Sequence, residues 1–385
     1  MRVCEGYYPA MAAVIDADSH VDETEATWEY MSAAEAQYRP TTVSPDNVNP
    51  VHKKGGNGRF WNIDGYLSLR RIRDDDETGE VLQPTGGTTT ATRELTDVPA
   101  RLKHMDDLGI DVQVMYSTLF IDCVTDKPDV ERAVTNSYNR WLGDRSDESK
   151  GRLRWVIVPS MLDIPNAIEQ IEFGSKHGAA GVCLKGEGSA AGTHIADPYF
   201  DPLYKAAADR NLPIVFHIGR ARHDHRFHER FFGESAPLSL SDNMISGTLP
   251  VVYAFHTLAT FKVPDRFPTL RFGFIEANSS WIPYMMYDLK RRITKQKGRE
   301  AQPQYEAADD LTARNRFFVT CQVDEDIPTI LKSAGEGCLV IGTDYSHPDA
   351  SYDLQVVNML RGREDLPPET SGKILSENPA KLYGI

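Results

Sequence analysis

The sequence predicts a (β/α)8 barrel, and three observations carry that prediction. Eight short apolar runs are spread along the chain, amphipathic segments alternate with them after about residue 98, and chemically capable residues stand directly after several of the runs. Continuous apolar runs suit parallel strands covered by helices on both faces. Eight of them alternating with helical segments is the arithmetic of a closed barrel, whose functional groups lie at the strands' C-terminal ends. A doubly wound open sheet is the alternative, but no Gly-x-Gly-x-x-Gly follows the first run.

The first strand is Val14-Ile15-Asp16-Ala17-Asp18-Ser19-His20. Strand side chains alternate between faces, so Asp18 and His20 face the same way and form half of a divalent metal site. Residues 21–100 show little periodicity: Asn, Pro and Gly between Thr41 and Gly58, aromatics at Phe60, Trp61 and Tyr66, then an acidic run and Gly86-Gly87-Thr88-Thr89-Thr90. So long an excursion reads as a cap over the end of the first strand, a surface insertion being the other reading. The remaining strands are expected at Val112–Tyr116, Trp155–Val158, Gly181–Leu184, Pro213–Phe216, Leu270–Ile275, Phe317–Thr320 and Leu339–Ile341. Helices are expected at Val98–Leu108, Val130–Gly143, Ile164–His177, Pro202–Arg210, Asp242–Phe261, Ile282–Arg292 and Ile327–Ser333, several closing on a glycine such as Gly109 or Gly178.

The composition fits one domain spanning residues 1–385, with 41% hydrophobic and 25% charged residues. A net charge of −14 argues against a nucleic-acid partner, which needs a basic face to displace counterions. Cys4, Cys123, Cys183, Cys321 and Cys338 are widely spaced with no CxxC pair, so neither a zinc knuckle nor a disulfide framework is expected, and the reduced cytoplasm fits best. No leader and no membrane span is expected either, since no apolar stretch reaches bilayer length.

The ends of the runs hold the candidate chemistry. The first ends in Asp18 and His20, the second in Tyr116, the fourth in Lys185, the fifth in His217, the sixth in Glu276, and the eighth in Asp344 with His347 just beyond. Singly, each has a plainer reading: a capping aspartate, a core histidine, a turn. Glu276 has no basic neighbour in sequence, so its burial would be costly without a cation, and a metal would answer that cost. Arg220 and Arg222 could receive a substrate carboxylate or be surface charge. The dense His223-Asp224-His225-Arg226-Phe227-His228 could bind metal, although a solvated lid-like segment is the simpler expectation.

Several stretches together resemble the amidohydrolase superfamily, specifically the amidohydrolase-2 group that includes aminocarboxymuconate-semialdehyde, resorcylate and carboxyvanillate decarboxylases. They are Ile15 to His20, Met105-Asp106-Asp107-Leu108-Gly109-Ile110-Asp111, Tyr138-Asn139-Arg140-Trp141, Gly151-Arg152-Leu153, Phe216-His217, Arg266 to Arg271, Glu276 through Trp281 to Tyr284, Gly342 to His347, and Glu377 to Gly384. The resemblance implies one divalent metal held by Asp18, His20, His217 and Asp344. Asp18 stands where the usual strand-one motif has its first histidine. A hard oxygen there favours Mn²⁺ or Fe²⁺ over Zn²⁺. Glu276 stands where the prototype decarboxylases carry a histidine, which leaves hydrolysis beside decarboxylation as the reaction. Lys185, where some superfamily members carry a carboxylated lysine bridging two metals, is expected unmodified here.

Two enzymatic readings follow. In the first, one metal polarises a small organic or aromatic acid and activates water, with Asp344, Glu276 and His347 as catalytic groups and Arg220, Arg222, Lys185 and Tyr116 contacting substrate. In the second, at least two of His256, Glu276 and His347 bring a second ion, with His256 as the discriminating residue, and a dinuclear iron or manganese site hydroxylates substrate with oxygen. A third possibility is a catalytically silent subunit with a structural metal, paired with an active homologue; otherwise a homo-oligomer is expected.

Overall fold

The structure, a computed structural model, describes residues 13–44, 59–70, 88–188, 193–219, 247–295, 310–347 and 351–385. Arg220, Arg222, the histidine-rich 223–228 segment and the start of the expected Asp242–Phe261 helix lie outside them. The first strand is β1 (Ile15–Val21). The excursion after it contains β2 (Thr41–Val43), β3 (Phe60–Ile63) and β4 (Tyr66–Leu69), a small antiparallel sheet. The remaining barrel strands are β5 (Val112–Ser117), β6 (Leu153–Ile157), β7 (Ala179–Leu184), β8 (Ile214–His217), β9 (Phe272–Ile275), β10 (Phe317–Thr320) and β11 (Leu339–Val340). Eight parallel strands run in the order β1-β5-β6-β7-β8-β9-β10-β11, each paired with the next in sequence, which is the (β/α)8 topology.

The ring is completed where the chain leaving β11 meets β1. Ala17 N–H donates to Ile341 O at 3.0 Å, Asp344 N–H to Asp18 O at 2.9 Å, and His20 N–H to Tyr345 O at 2.9 Å. Gly342 makes this approach possible: a Cβ there would lie 2.3 Å from the Asp18 Cβ and 2.7 Å from the Asp18 backbone. The requirement is for space.

The covering helices begin for recognisable reasons. α1 (Val98–Leu108), α3 (Ile164–Lys176) and α7 (Ile327–Ala334) share an Asp-(Val/Ile)-Pro start. Asp97, Asp163 and Asp326 accept from the amides of Ala100, Asn166 and Thr329, and the proline sits in the first turn, where its missing donor costs nothing. α2 (Pro128–Asp147), between α1 and α3, runs past the expected end at Gly143. That glycine is a packing residue, since a Cβ on it would come 3.3 Å from Phe173 and from His177 of the next helix segment. α4 (Asp201–Asp209), α5 (Leu249–Thr260) and α6 (Ile282–Lys295) follow the intervening strands. No described helix is long and apolar enough to cross a membrane.

Alternate strand residues split the core in two. Outward side chains pack against helices in one large cluster, while Ile15, Ala17, Val114, Tyr116, Val156, Val215, Ile275 and Val340 fill the barrel. The C-terminal α8 (Asn378–Tyr383), unforeseen from the sequence, contributes Leu382 and Tyr383 to that interior. Tyr383 donates to Ala17 O at 2.6 Å and accepts from the Tyr116 hydroxyl at 2.7 Å. In the excursion, Trp61 meets Trp28 edge-on at 5.6 Å and the Arg70 guanidinium covers its ring at 4.5 Å.

Gly342→Ala is expected to cost about 1–3 kcal/mol or more, the range for forcing an atom into a filled interior position. Thermal unfolding checks this; a melting temperature within about 2 °C of wild type would contradict the closure argument.

Candidate metal centre

Six side chains meet at the C-terminal end of the barrel. Asp18 and His20 come from β1, His217 is the last residue of β8, Glu276 directly follows β9, and Asp344 and His347 lie in the turn after β11. All six are buried. Ligand atoms of Asp18, His20, His217 and Glu276 gather within 4.8 Å of one another, and so do those of His20, Glu276, Asp344 and His347.

Backbone carbonyls set the imidazole tautomers. His20 Nδ1–H donates to Ser117 O at 3.0 Å and His217 Nδ1–H to Ile218 O at 2.7 Å, because a carbonyl can only accept. In the neutral rings both Nε2 lone pairs then face inward, 3.2 Å apart. Around them stand Asp18 Oδ1 at 3.5 Å from His20 and 3.3 Å from His217, Asp344 Oδ1 at 3.4 Å from His20, and Glu276 Oε2 at 3.2 Å from His217. Acceptors crowded on one point repel unless a cation sits among them. Two imidazole nitrogens and carboxylate oxygens are a first-row divalent donor set, so the residues fit a metal. Burial opposes ionisation of Asp18; positive charge at the His217 and His20 Nε2 positions would outweigh it and hold the carboxyl well below its ordinary range, the part that a bound cation would take when the rings are neutral.

Glu276 and Asp344 both occupy the left-handed region, with φ of 59° and 49°, and Ser346 has φ of 84°. Such conformations cost free energy in non-glycine residues and collect at functional sites. Here they turn two carboxylates inward at the ends of β9 and β11. The Thr320 hydroxyl on β10 accepts from the Glu276 amide at 2.6 Å. His347 stacks on His20 with centroids 3.6 Å apart, its Nδ1 is 3.0 Å from Asp344 Oδ1, and its Nε2 is 3.0 Å from the Thr118 hydroxyl.

A buried network lies behind the ligands. Asp16 accepts from Thr343 N–H at 2.9 Å, the Thr343 hydroxyl at 2.6 Å and Gln113 Nε2 at 2.8 Å, while burial raises its pKa to about 6. Gln113 accepts from Arg101 Nε at 2.8 Å. Arg101 also donates to His20 O at 3.1 Å and lies over the Tyr345 ring at 3.6 Å. Strands one and eight are thereby tied together on both sides of the ligands.

The other sequence candidates fall elsewhere. The Tyr116 hydroxyl is engaged by Tyr383 inside the barrel, although its ring lies 4.9 Å from His217. Lys185 Nζ donates to Phe120 O and, at 2.6 Å, to Ile121 O. His256, on α5, is not among the described residues that gather at the centre. Thr118 and Thr320 were missed by sequence reasoning: both stand at strand ends, where a search limited to metal-ligating residue types passes over hydroxyls. Arg101 and Gln113 carried no sequence signal, because their partners are distant in the chain.

The family model described as amidohydrolase matches residues 82–385. No curated protein is similar enough in sequence to match. Among solved structures, an amidohydrolase from Mycobacterium avium subsp. paratuberculosis K-10 superposes with a TM-score of 0.75 at 17% identity, covering 97% of this chain and 98% of that one. The 5-carboxyvanillate decarboxylase from Sphingomonas paucimobilis gives 0.63 at 14% identity, covering 97% and 99%. A dihydroxybenzoic acid decarboxylase from Polaromonas sp. JS666, solved with manganese and the inhibitor 2-nitroresorcinol, gives 0.64 at 16%, covering 97% of each chain.

His217→Ala and Asp344→Ala are each expected to lower metal affinity at least about tenfold while the barrel stays folded. Elemental analysis after dialysis, beside circular dichroism, measures both; full occupancy in the two variants would remove these residues from the ligand set.

Proposed function

We propose, since the chain belongs to the amidohydrolase family, that it is a metal-dependent decarboxylase or hydrolase acting on a small aromatic or organic acid. The observation that carries this reading is the buried convergence of Asp18, His20, His217 and Asp344, with Glu276 and His347 beside them. The decarboxylases of similar fold favour decarboxylation as the first reaction to test.

Asp18, His20, His217 and Asp344 would hold the ion. When bound, it supplies Lewis-acid polarisation of a carboxylate or carbonyl oxygen and lowers the pKa of a water molecule. Glu276, fixed through its amide by Thr320, is the proposed base, accepting a proton at Oε2. His347, held between Asp344 and Thr118, is the proposed acid or hydrogen-bond donor toward substrate. Burial of the cluster excludes bulk water and strengthens each of these interactions. A carboxylate of Asp18 in place of a histidine nitrogen favours Mn²⁺ or Fe²⁺ over Zn²⁺.

One ion per chain is proposed. Of the three side chains considered for a second ion, Glu276 and His347 join the cluster and His256 does not. Metal analysis is expected to give a stoichiometry near one that His256→Ala leaves unchanged; a value near two, falling in that variant, would favour the dinuclear oxygenase.

Manganese-loaded protein offered hydroxylated benzoic acids is expected to release carbon dioxide, or to hydrolyse an activated ester, without consuming oxygen. Turnover that stops under anaerobic conditions, or no turnover of any of these compounds, would count against the proposal.

A further inference from the structure

The turn that leaves β9 carries Glu276 into the metal centre, and side chains hold its backbone at both ends. At the near end the Thr320 hydroxyl accepts from the Glu276 amide at 2.6 Å and donates to Phe274 O at 3.4 Å. Two residues of the turn occupy the left-handed region, Glu276 with φ of 59° and Asn278 with φ of 55°. In non-glycine residues such a backbone persists only where its surroundings over-determine it. The Trp281 indole N–H donates to the Ala277 and Asn278 carbonyls, at 3.0 and 2.9 Å. At the far end stands Glu325, from the segment between β10 and α7.

Five donors converge on the Glu325 carboxylate. Oε1 accepts from Ser280 N–H at 2.7 Å and from the Ser280 hydroxyl at 2.6 Å. Oε2 accepts from the Ser279 hydroxyl at 2.7 Å and from Gln322 N–H at 2.9 Å, while Ser279 N–H is shared by the two oxygens at 2.9 and 3.2 Å. Three of these donors are main-chain amides, so the carboxylate fixes the path of the chain itself. Capping α7 is not its task, because Asp326 accepts from the Thr329 amide there. Nor does Glu325 reach the centre, being absent from the described side chains that gather there. A carboxamide would serve badly in its place. Both oxygens receive backbone N–H groups, so either orientation of the amide would turn its NH₂ onto a backbone donor.

We infer that Glu325 is a positioning residue for Glu276: with Thr320 it holds the β9 exit turn at both ends, so that the left-handed backbone between them aims the Glu276 carboxylate at the centre, where Oε2 stands 3.2 Å from His217 Nε2. This rests on the metal-dependent reading of that centre and adds to it the residue that keeps the proposed base in place. Released from Glu325, the turn can relax toward ordinary backbone conformations and carry the carboxylate away from the ion. Asp18, His20, His217 and Asp344 stand on other segments and would stay where they are.

Calorimetric titration with Mn²⁺ of the wild type, Glu276→Ala, Glu325→Gln and the double variant tests this as a cycle. A carboxylate beside the ion strengthens its binding, so Glu276→Ala is expected to weaken Mn²⁺ about tenfold and Glu325→Gln at least about threefold. The double variant is expected to bind no more weakly than Glu276→Ala alone, because a residue acting through Glu276 then has nothing left to position. In crystals of metal-free Glu325→Gln, Glu276 is expected outside the left-handed region. Wild-type Mn²⁺ affinity in Glu325→Gln, a loss that recurs in full in the Glu276→Ala background, or an unchanged Glu276 φ overturns the inference. Should Glu325→Gln not fold, Ser279→Ala combined with Ser280→Ala, which removes two hydroxyl donors and no main-chain bond, takes its place in both measurements. Loss of the fold in both variants also overturns the inference, since Glu325 would then be a support of the barrel. If the wild type takes up no Mn²⁺, the reading of the metal centre falls instead, and the Glu276 backbone in the variant crystals decides the positioning role by itself.

Discussion

Crowding of electron pairs at one buried point is the constraint that the surrounding structure answers. Three carboxylates and two inward Nε2 atoms stand within 3.5 Å of their neighbours in a space from which water is largely excluded. Taking each charge out of water costs several kcal/mol, and no rotation of the side chains relieves the cost, because carbonyls at Ser117 and Ile218 hold the rings. A divalent cation turns every one of these repulsions into an attraction. The stability of this end of the barrel is therefore coupled to metal binding, with the loaded form favoured by the affinity of the site.

The scaffold around that point is stiffer than the ligands themselves require. Arg101 is completely buried, yet it donates to the carbonyl of His20 and the Gln113 side chain and lies over the ring of Tyr345. Burying a guanidinium is costly unless its donors and its face are used, and here Nε, Nη1 and the face are spent on joining strands one and eight, while Nη2 has no hydrogen-bond partner among the described residues. The left-handed backbone at Glu276 and Asp344 is held in the same way, through Thr320 and through the pairing of Asp344 with Asp18. Strain at the centre is thus maintained by hydrogen bonds one layer away.

The sequence made much of this legible, and its limits have a physical origin. A buried parallel strand leaves a continuous apolar run, so the eight barrel strands could be located, and the residue that ends a run must stand at the C-terminal mouth. That reasoning named Asp18, His20, His217, Glu276, Asp344 and His347, which the fold brings together. It could not find Gly342, whose role depends on a strand more than three hundred positions away, or the plug formed by Tyr383, because α8 is short and its partners are Ala17 and Tyr116. The extension of α2 beyond Gly143 was hidden for a related reason: local propensity makes glycine a terminator, whereas the neighbouring α3 makes it a spacer. Lys185 was visible as a residue, but the carbonyls that hold it come from a different loop.

The buried cluster draws its first members from residues 18 and 20 and its last from residues 344 and 347, and the same two segments form the closing seam of the barrel. On the ribosome, the N-terminal pair emerges long before its counterpart exists. A nascent chain holding only Asp18, His20 and His217 presents an incomplete, open-sided site, and tight loading awaits synthesis of nearly the whole protein. In the proposed centre metal capture would therefore be a late event in biogenesis, coincident with ring closure, because a chain that ends before Asp344 cannot close the ring.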